Sequence, residues 1–162
     1  MATETELLEV FRLGELACDR EIVQVVGDRL AGLWMARSRF KDTELLTRRS
    51  LALQTSAGTL NWCGHALLRL GDTGQALTFF NQALPLRRAV GDRAGEAVTR
   101  YNIGMIHRRA GRLADAVTEL EVTVELDRQV QHPDLASDTA MLEQVRAELV
   151  SRGVGGPSSG GV

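Results

Sequence analysis

The sequence contains few residues that interrupt or cross-link a helical chain. Only three prolines and two cysteines occur among 162 residues, and aromatic residues make up 4%. Scarce proline allows long helices, and few aromatic residues beside abundant alanine, leucine, arginine and glutamate favour helices over strands. Cys18 and Cys63 are too far apart to indicate a disulfide framework or a zinc site. Each is interpreted as a small, buried apolar residue within a helix.

An excess of positive charge is also missing. The formal net charge of −2 provides no basic field for a phosphate backbone, so we expect no direct binding of nucleic acid. Arginines do cluster locally, at Arg87, Arg88, Arg93, Arg108, Arg109 and Arg112. This cluster is interpreted as a solvated helix face, with an anionic peptide ligand as the alternative.

Apolar runs long enough to cross a bilayer are absent, and the acidic N-terminus does not resemble a secretory signal. We therefore expect a cytoplasmic protein that does not enter membranes. Residues 153–162 are rich in glycine and serine, which predicts a flexible tail, either native or an appended remnant.

Motifs for catalysis and cofactor binding are missing as well. There is no glycine-rich phosphate loop and no Gly-x-Ser-x-Gly element. His65, His107 and His132 lack metal-ligand spacing, and Glu121 and Glu125 share one predicted helix instead of converging from two. We expect no enzymatic activity, no cofactor and no metal.

The sequence does contain an internal repeat of forty residues. Gly64 and Gly71 recur as Gly104 and Gly111, because 104 − 64 and 111 − 71 both equal 40. The same offset relates Ala76 to Ala116, Leu77 to Val117, Phe80 to Leu120, and Leu84 to Val124. Gly71 and Gly111 follow helical stretches, where glycine readily forms a left-handed cap, so they predict inter-helix turns.

Glycine within a helix indicates a close contact with a second helix. Such a residue costs about 1 kcal/mol relative to alanine. Because this cost recurs at Gly64 and Gly104, we expect the partner helix to approach closely there. Ala76 and Ala116 provide the matching small residues on the second helix. Each unit is therefore predicted to be a pair of antiparallel helices.

Apolar residues at helical spacing extend on both sides of the repeat. They predict about eight helices, at 4–18, 21–36, 42–54, 57–70, 73–90, 93–110, 113–131 and 134–151. Residues 1–152 are predicted to form a single domain. Its strongest repeats are 58–92 and 98–131, with a degenerate unit at 21–54 and a capping helix at 134–151.

Three residues refine this prediction. Ser38 takes the position of the inter-helix glycine in the degenerate unit. Pro85 lies inside the fifth helix, which it either kinks or breaks, and we favour the kink. Pro133 is placed in the first turn of the capping helix.

The repeat resembles the tetratricopeptide repeat in its longer, forty-residue form. The matching residues are Leu60, Cys63, Gly64, Leu67, Gly71, Ala76, Phe80 and Ala83, then Ile103, Gly104, His107, Gly111, Ala116 and Leu120. Thr123 departs from the family pattern, which has alanine there. The resemblance implies an all-α fold, a right-handed superhelix of antiparallel helix pairs whose first helices line a concave groove. It also implies a scaffold or adaptor that binds a peptide or a partner protein.

Polar and amphipathic side chains are predicted to line this groove. They are Asn61, His65, Arg69, Tyr101, Asn102, Met105, Arg108 and Arg109. Amide, aromatic, guanidinium and thioether groups suit an extended or helical peptide. Asn102 resembles the asparagine with which longer-form repeats hold a peptide backbone, although Trp62 occupies this position one unit earlier.

Alternative interpretations stay open at this point. His65 is equally well interpreted as a simple solvent-exposed residue that binds nothing. Tyr101 is alternatively a core residue, and Arg108 and Arg109 alternatively only solvate the groove. The chain is alternatively a regulatory or sensor segment of a bacterial signalling or transcription-regulator system. Self-association as a homodimer through the apolar helix at 4–18 is a further alternative.

Overall fold

The computed structural model describes residues 2–154, and within them the chain forms eight α-helices and no strand. Their bounds are α1 (Glu4–Leu16), α2 (Arg20–Ala36), α3 (Phe40–Leu53), α4 (Ala57–Leu70), α5 (Thr73–Ala89), α6 (Arg93–Arg109), α7 (Leu113–Val130) and α8 (Leu135–Val154). Every helix end lies within three residues of its predicted position. The prediction of an all-α helical-repeat fold is confirmed.

The chain divides into two compact units, Met1–Val90 and Gly91–Val162, whereas the sequence analysis expects a single domain. In the first unit, helices α1 to α5 each pack on the next, and α2 also contacts α4. In the second unit, α7 packs against both α6 and α8. The predicted flexible tail begins within α8, and its remainder, 155–162, lies outside the described residues.

Left-handed backbone conformations recur at the turns between helices. Gly71, Gly91 and Gly111 have φ angles of 90°, 70° and 75°, at intervals of twenty residues. Glycine adopts this conformation without the steric penalty of a side chain. The turns predicted at Gly71 and Gly111 are confirmed.

Three other residues adopt the same conformation, namely Cys18, Ser38 and Gln131, with φ of 54°, 58° and 53°. Ser38 therefore occupies the turn position predicted for it. The prediction for Cys18 is wrong, because this residue is exposed in the turn after α1 and not buried within a helix. Apolar spacing does not reveal that a left-handed residue ends the helix early. Cys63 is buried in α4, as predicted.

Aspartates start the helices that follow two of the glycine turns. The N–H of Gln75 donates to Oδ1 of Asp72 at 3.0 Å, and the N–H of Gly95 donates to Oδ1 of Asp92 at 2.9 Å. A Gly-Asp pair thus ends one helix and caps the next. Arg112 follows the third glycine, and within the described residues α7 has no side-chain cap.

Proline residues affect the helices in two different ways. Helix α5 continues from Thr73 to Ala89 with Pro85 inside it, so Pro85 does not break the helix. Pro133, in contrast, lies in the turn before Leu135 and not in the first turn of α8 as predicted. Asp134 is the residue directly before α8, because its carbonyl accepts an N–H from the first turn of the helix, that of Asp138, at 2.9 Å. Pro133 therefore lies one residue further from the helix.

Gly64 and Gly104 allow the close helix packing that their repetition predicts. A Cβ atom at Gly64 would lie 2.8 Å from the ring of Phe80, which is 0% exposed. A Cβ atom at Gly104 would lie 3.3 Å from Cγ of Leu120 and 3.4 Å from the carbonyl oxygen of Ala116. The close approach is confirmed in both units. In the first unit the atoms nearest to such a Cβ belong to the aromatic ring of Phe80.

Candidate protein-binding site

Helix α4 of the first unit carries three of the predicted binding residues. Asn61 and His65 are half-buried, whereas Arg69 is exposed in the last turn. The guanidinium of Arg69 lies over the ring of Phe40, 4.8 Å from its centroid. This cation–π contact orients the side chain while its charge stays accessible to a ligand.

His65 packs against the contact between α4 and α5. Its ring meets Phe80 edge-on at a centroid distance of 5.4 Å, and Trp62 lies 6.3 Å away. Burial lowers the pKa of His65, so the neutral imidazole is favoured. His65 therefore lies at the edge of a packed helix pair, a position that the sequence analysis did not consider.

Helix α6 of the second unit carries five predicted residues, two of which face α8. Tyr101 packs against the apolar cluster of α7 and α8. Arg108 forms an ion pair with Glu148, and its Nη1 contacts Sδ of Met141 at 3.0 Å. The ion pair raises the pKa of Arg108 and lowers that of Glu148. The capping helix thus uses part of the predicted binding surface.

The other three predicted residues of α6 differ in their exposure. Asn102 and Met105 are half-buried, and Nδ2 of Asn102 donates to the carbonyl of Val98 at 2.9 Å within α6. Arg109 is exposed in the last turn. It is the repeat equivalent of Arg69, because 109 − 69 equals 40. Each unit therefore presents an exposed arginine at the same position of its first repeat helix.

The repeat of helix pairs every forty residues is also the pattern of a known protein family. A family model described as "Tetratricopeptide repeat" matches residues 55–129, which include α4, α5, α6 and nearly all of α7. Residues 55–129 carry tetratricopeptide repeats. Among curated proteins, no sequence matches the chain. Domains of this family generally mediate interactions between proteins.

An ion-pair network fixes the segment that precedes the tetratricopeptide repeats. The carboxylate of Glu4 accepts hydrogen bonds from Nε1 of Trp34 at 2.8 Å and from Nη1 of Arg37 at 2.6 Å, and it also binds Arg39. The Trp34 bond contributes most to the lowered pKa of Glu4. This network ties the start of α1 to the end of α2. The sequence does not reveal this network, because partners that are thirty or more residues apart leave no periodic signal.

An acidic cluster beside the last tetratricopeptide repeat was also missed. Asp127 is 1% exposed, and its carboxyl group neighbours that of Asp138 at hydrogen-bonding range. Nδ1 of His132 lies 3.8 Å from the carboxylates of both Asp127 and Asp134. One sequence signal does point to this cluster. Asp127 stands seven residues after buried Leu120, on the face of α7 where an apolar residue is expected.

Neither a metal-binding cluster nor a membrane span is found within residues 2–154. In this range no group of three or more His, Cys, Asp or Glu side chains is arranged to hold a metal ion. No helix in the described part of the chain combines the length and the apolar character that crossing a bilayer requires.

Proposed function

We propose that this chain is a non-catalytic, cytoplasmic interaction scaffold in which each of the two units binds acidic residues of a partner protein through exposed side chains of its own first repeat helix, α4 in the first unit and α6 in the second. The observation that carries the proposal is the equivalence of Arg69 and Arg109, which hold the same position in two repeats and are both exposed. Guanidinium groups bind carboxylates through paired hydrogen bonds. On α6, Asn102 adds an amide, and Met105 adds an apolar group of adaptable shape.

Arg108 is not part of this proposed surface. Its guanidinium binds Glu148, and its side chain is only 21% exposed. Removing it would leave the carboxylate of Glu148 without this partner and disturb the packing of α8. A loss of binding in an Arg108 variant would therefore not separate recognition from folding.

Replacing both Arg69 and Arg109 with alanine is expected to weaken partner binding about tenfold or more. A hydrogen bond to a charged group contributes about 1.5 kcal/mol or more, and about 1.4 kcal/mol corresponds to a factor of ten in affinity. The partner is first captured with the tagged wild-type chain from its native host and identified by mass spectrometry. Its dissociation constant for each variant is then measured by isothermal titration calorimetry.

The matched control replaces Arg12 and Arg128 with alanine. These arginines are also exposed, on α1 and α7, and each forms an ion pair with a glutamate three residues earlier. The control has the same change in charge, and its affinity is expected to equal that of the wild type. Equal losses in both double variants would indicate unspecific attraction, and an unchanged affinity in the first would contradict the proposal.

Self-association is a second candidate function, favoured by exposed apolar side chains on α1 and α2. Val10 is 43% exposed and Val25 is 63% exposed, and both line a shallow depression of about 220 Å³. Burial of such residues against a second copy of the chain would remove apolar surface from water.

If self-association occurs, replacing Val10 and Val25 with serine is expected to abolish it. Sedimentation velocity at several protein concentrations measures the effect: the wild type should show a mass that rises with concentration, and the double variant should stay monomeric. Val150→Ser, on the exposed side of α8, serves as the control and should behave like the wild type. Strictly monomeric wild-type protein at all concentrations would exclude this function.

A further inference from the structure

We infer that α8 docks on the last tetratricopeptide repeat through a pair of carboxyl groups, those of Asp127 and Asp138, that share one proton. Protonation of this pair holds α8 in place, and loss of the proton loosens it. The docking of the capping helix is then a pH-sensitive device built into the second unit.

The geometry of Asp127 is the first support for this inference. This residue is 1% exposed, and its Oδ2 atom is buried without a hydrogen-bond partner among the described residues. A buried carboxylate oxygen without a partner is costly. Asp138, on α8, provides the neighbouring carboxyl group. Two ionised carboxylates can only accept hydrogen bonds, and they repel each other, whereas one proton turns their contact into an O–H···O bond.

Among the described residues, no other group near the pair donates a hydrogen bond to Oδ2 of Asp127 in place of the shared proton. From α6, Arg108 is held by Glu148, and the pKa of the Tyr101 phenol is raised by burial and then by the charge of Asp138. From α8 itself, Ser137 contributes only a long contact of 3.5 Å to Oδ1 of Asp138.

The turn between α7 and α8 contributes His132 and Asp134. Nδ1 of His132 accepts the backbone N–H of Asp134 at 3.2 Å, and it lies 3.8 Å from the carboxylate of Asp127, which is longer than a hydrogen bond. Asp134 adds a further negative charge, which makes a second ionised carboxylate at Asp138 still less favourable.

The pKa of Asp138 is shifted in the direction that this geometry requires. Burial, followed by the hydrogen bond and the charge of Asp127, raises the pKa of Asp138 to about 6 from its usual 3.8. Because the folded-state value is the higher one, folding takes up a proton between these two values. The stabilisation is fully present below the unfolded value and is lost as the pH rises through about 6.

Loosening of α8 would also affect the predicted binding surface. Met141 and Glu148 of α8 contact Arg108, and the same helix covers part of Tyr101. At neutral and alkaline pH these two side chains of α6 would become more accessible. Neither side chain belongs to the surface of the proposed function, so this consequence and the docking of α8 are both independent of it.

Hydrogen–deuterium exchange of the full chain, read from α8 peptides by mass spectrometry, tests the inference without any partner. After correction for intrinsic exchange rates, α8 of the wild type is expected to lose protection between about pH 5 and about pH 8. The difference of 6 − 3.8 = 2.2 pH units corresponds to about a hundredfold over the whole range. Because the unfolded carboxyl group is already ionised at pH 5, only about one pH unit of this effect, or about tenfold, is lost between pH 5 and pH 8. Asp138→Asn, which keeps a donor for Asp127 without a titrating proton, should remove most of this dependence and protect α8 at the higher pH.

Three further variants distinguish the carboxyl pair from the neighbouring titratable groups. Asp127→Asn should act like Asp138→Asn, because an amide on either side replaces the shared proton, and it serves if the first variant fails to fold. Asp115→Asn, at an exposed position of α7, should behave like the wild type. His132→Gln should retain most of the pH dependence. Equal wild-type protection at both pH values, or a dependence that His132→Gln abolishes and Asp138→Asn retains, would overturn the inference.

Discussion

Replacing Phe80 with alanine is expected to lower the free energy of unfolding by about 4 kcal/mol. The ring is 0% exposed and packs against Gly64, where a Cβ atom would collide with it. Glycine has no side chain that can move into the vacated space, so the cavity stays open. Urea unfolding followed by tryptophan fluorescence measures the loss, because Trp34 and Trp62 both lie in the same unit as Phe80.

Phe79 provides the matched control for this substitution. It precedes Phe80 on α5 but is only half-buried, with the guanidinium of Arg48 5.5 Å from its ring centroid. Phe79→Ala is expected to cost about 1 to 2 kcal/mol, since little of the ring is removed from a closed core. Equal losses for the two phenylalanines would contradict the packing described for α4 and α5.

Replacing Leu120 with alanine is the equivalent experiment in the second unit, with an expected loss of about 3 kcal/mol. Leu120 is 0% exposed, lies against Gly104 and belongs to the apolar cluster that joins α7 to α8. Hydrogen exchange of peptides from α6, α7 and α8 measures the loss of protection, because this unit contains no tryptophan.

Leu149→Ala makes the same chemical change at a position of α8 that is 37% exposed. A leucine that keeps much of its solvent contact loses less on truncation, so a cost below about 1.5 kcal/mol is expected. If Leu120→Ala reduces protection no more than Leu149→Ala does, the two repeats do not share the packing that their forty-residue offset indicates.

The helices and the repeat could be predicted from the sequence because glycine marks backbone requirements directly. Gly71 and Gly111 stand where the chain needs a positive φ, and Gly64 and Gly104 stand where another helix approaches closely. Cys18 also adopts the left-handed conformation, but its residue type does not mark a turn. The sequence therefore predicts that α1 extends to Cys18, whereas the helix ends at Leu16 and Cys18 is exposed in the turn.

Only part of the candidate site could be predicted. The position of a residue along a helix determines the helix face on which its side chain lies, but not the residue of another helix that it contacts. Arg69 and Arg109 are exposed on the helices that the repeat assigns to binding. His65 packs on a ring of the next helix, and Arg108 pairs with Glu148, forty residues further along the chain. Contacts between helices depend on how those helices pack, and the spacing of residues within one helix does not contain this information.

The affinity of the full chain for its identified partner, measured by calorimetry at low and at high salt, tests the central claim most directly. The account predicts that Arg69→Ala with Arg109→Ala weakens binding about tenfold or more at low salt, and that the remaining affinity depends less on salt than that of the wild type. The control, Arg12→Ala with Arg128→Ala, should keep the wild-type affinity. A correctly folded Arg69 and Arg109 double variant that binds as tightly as the wild type at both salt concentrations would contradict the claim that the tetratricopeptide repeats bind through these arginines.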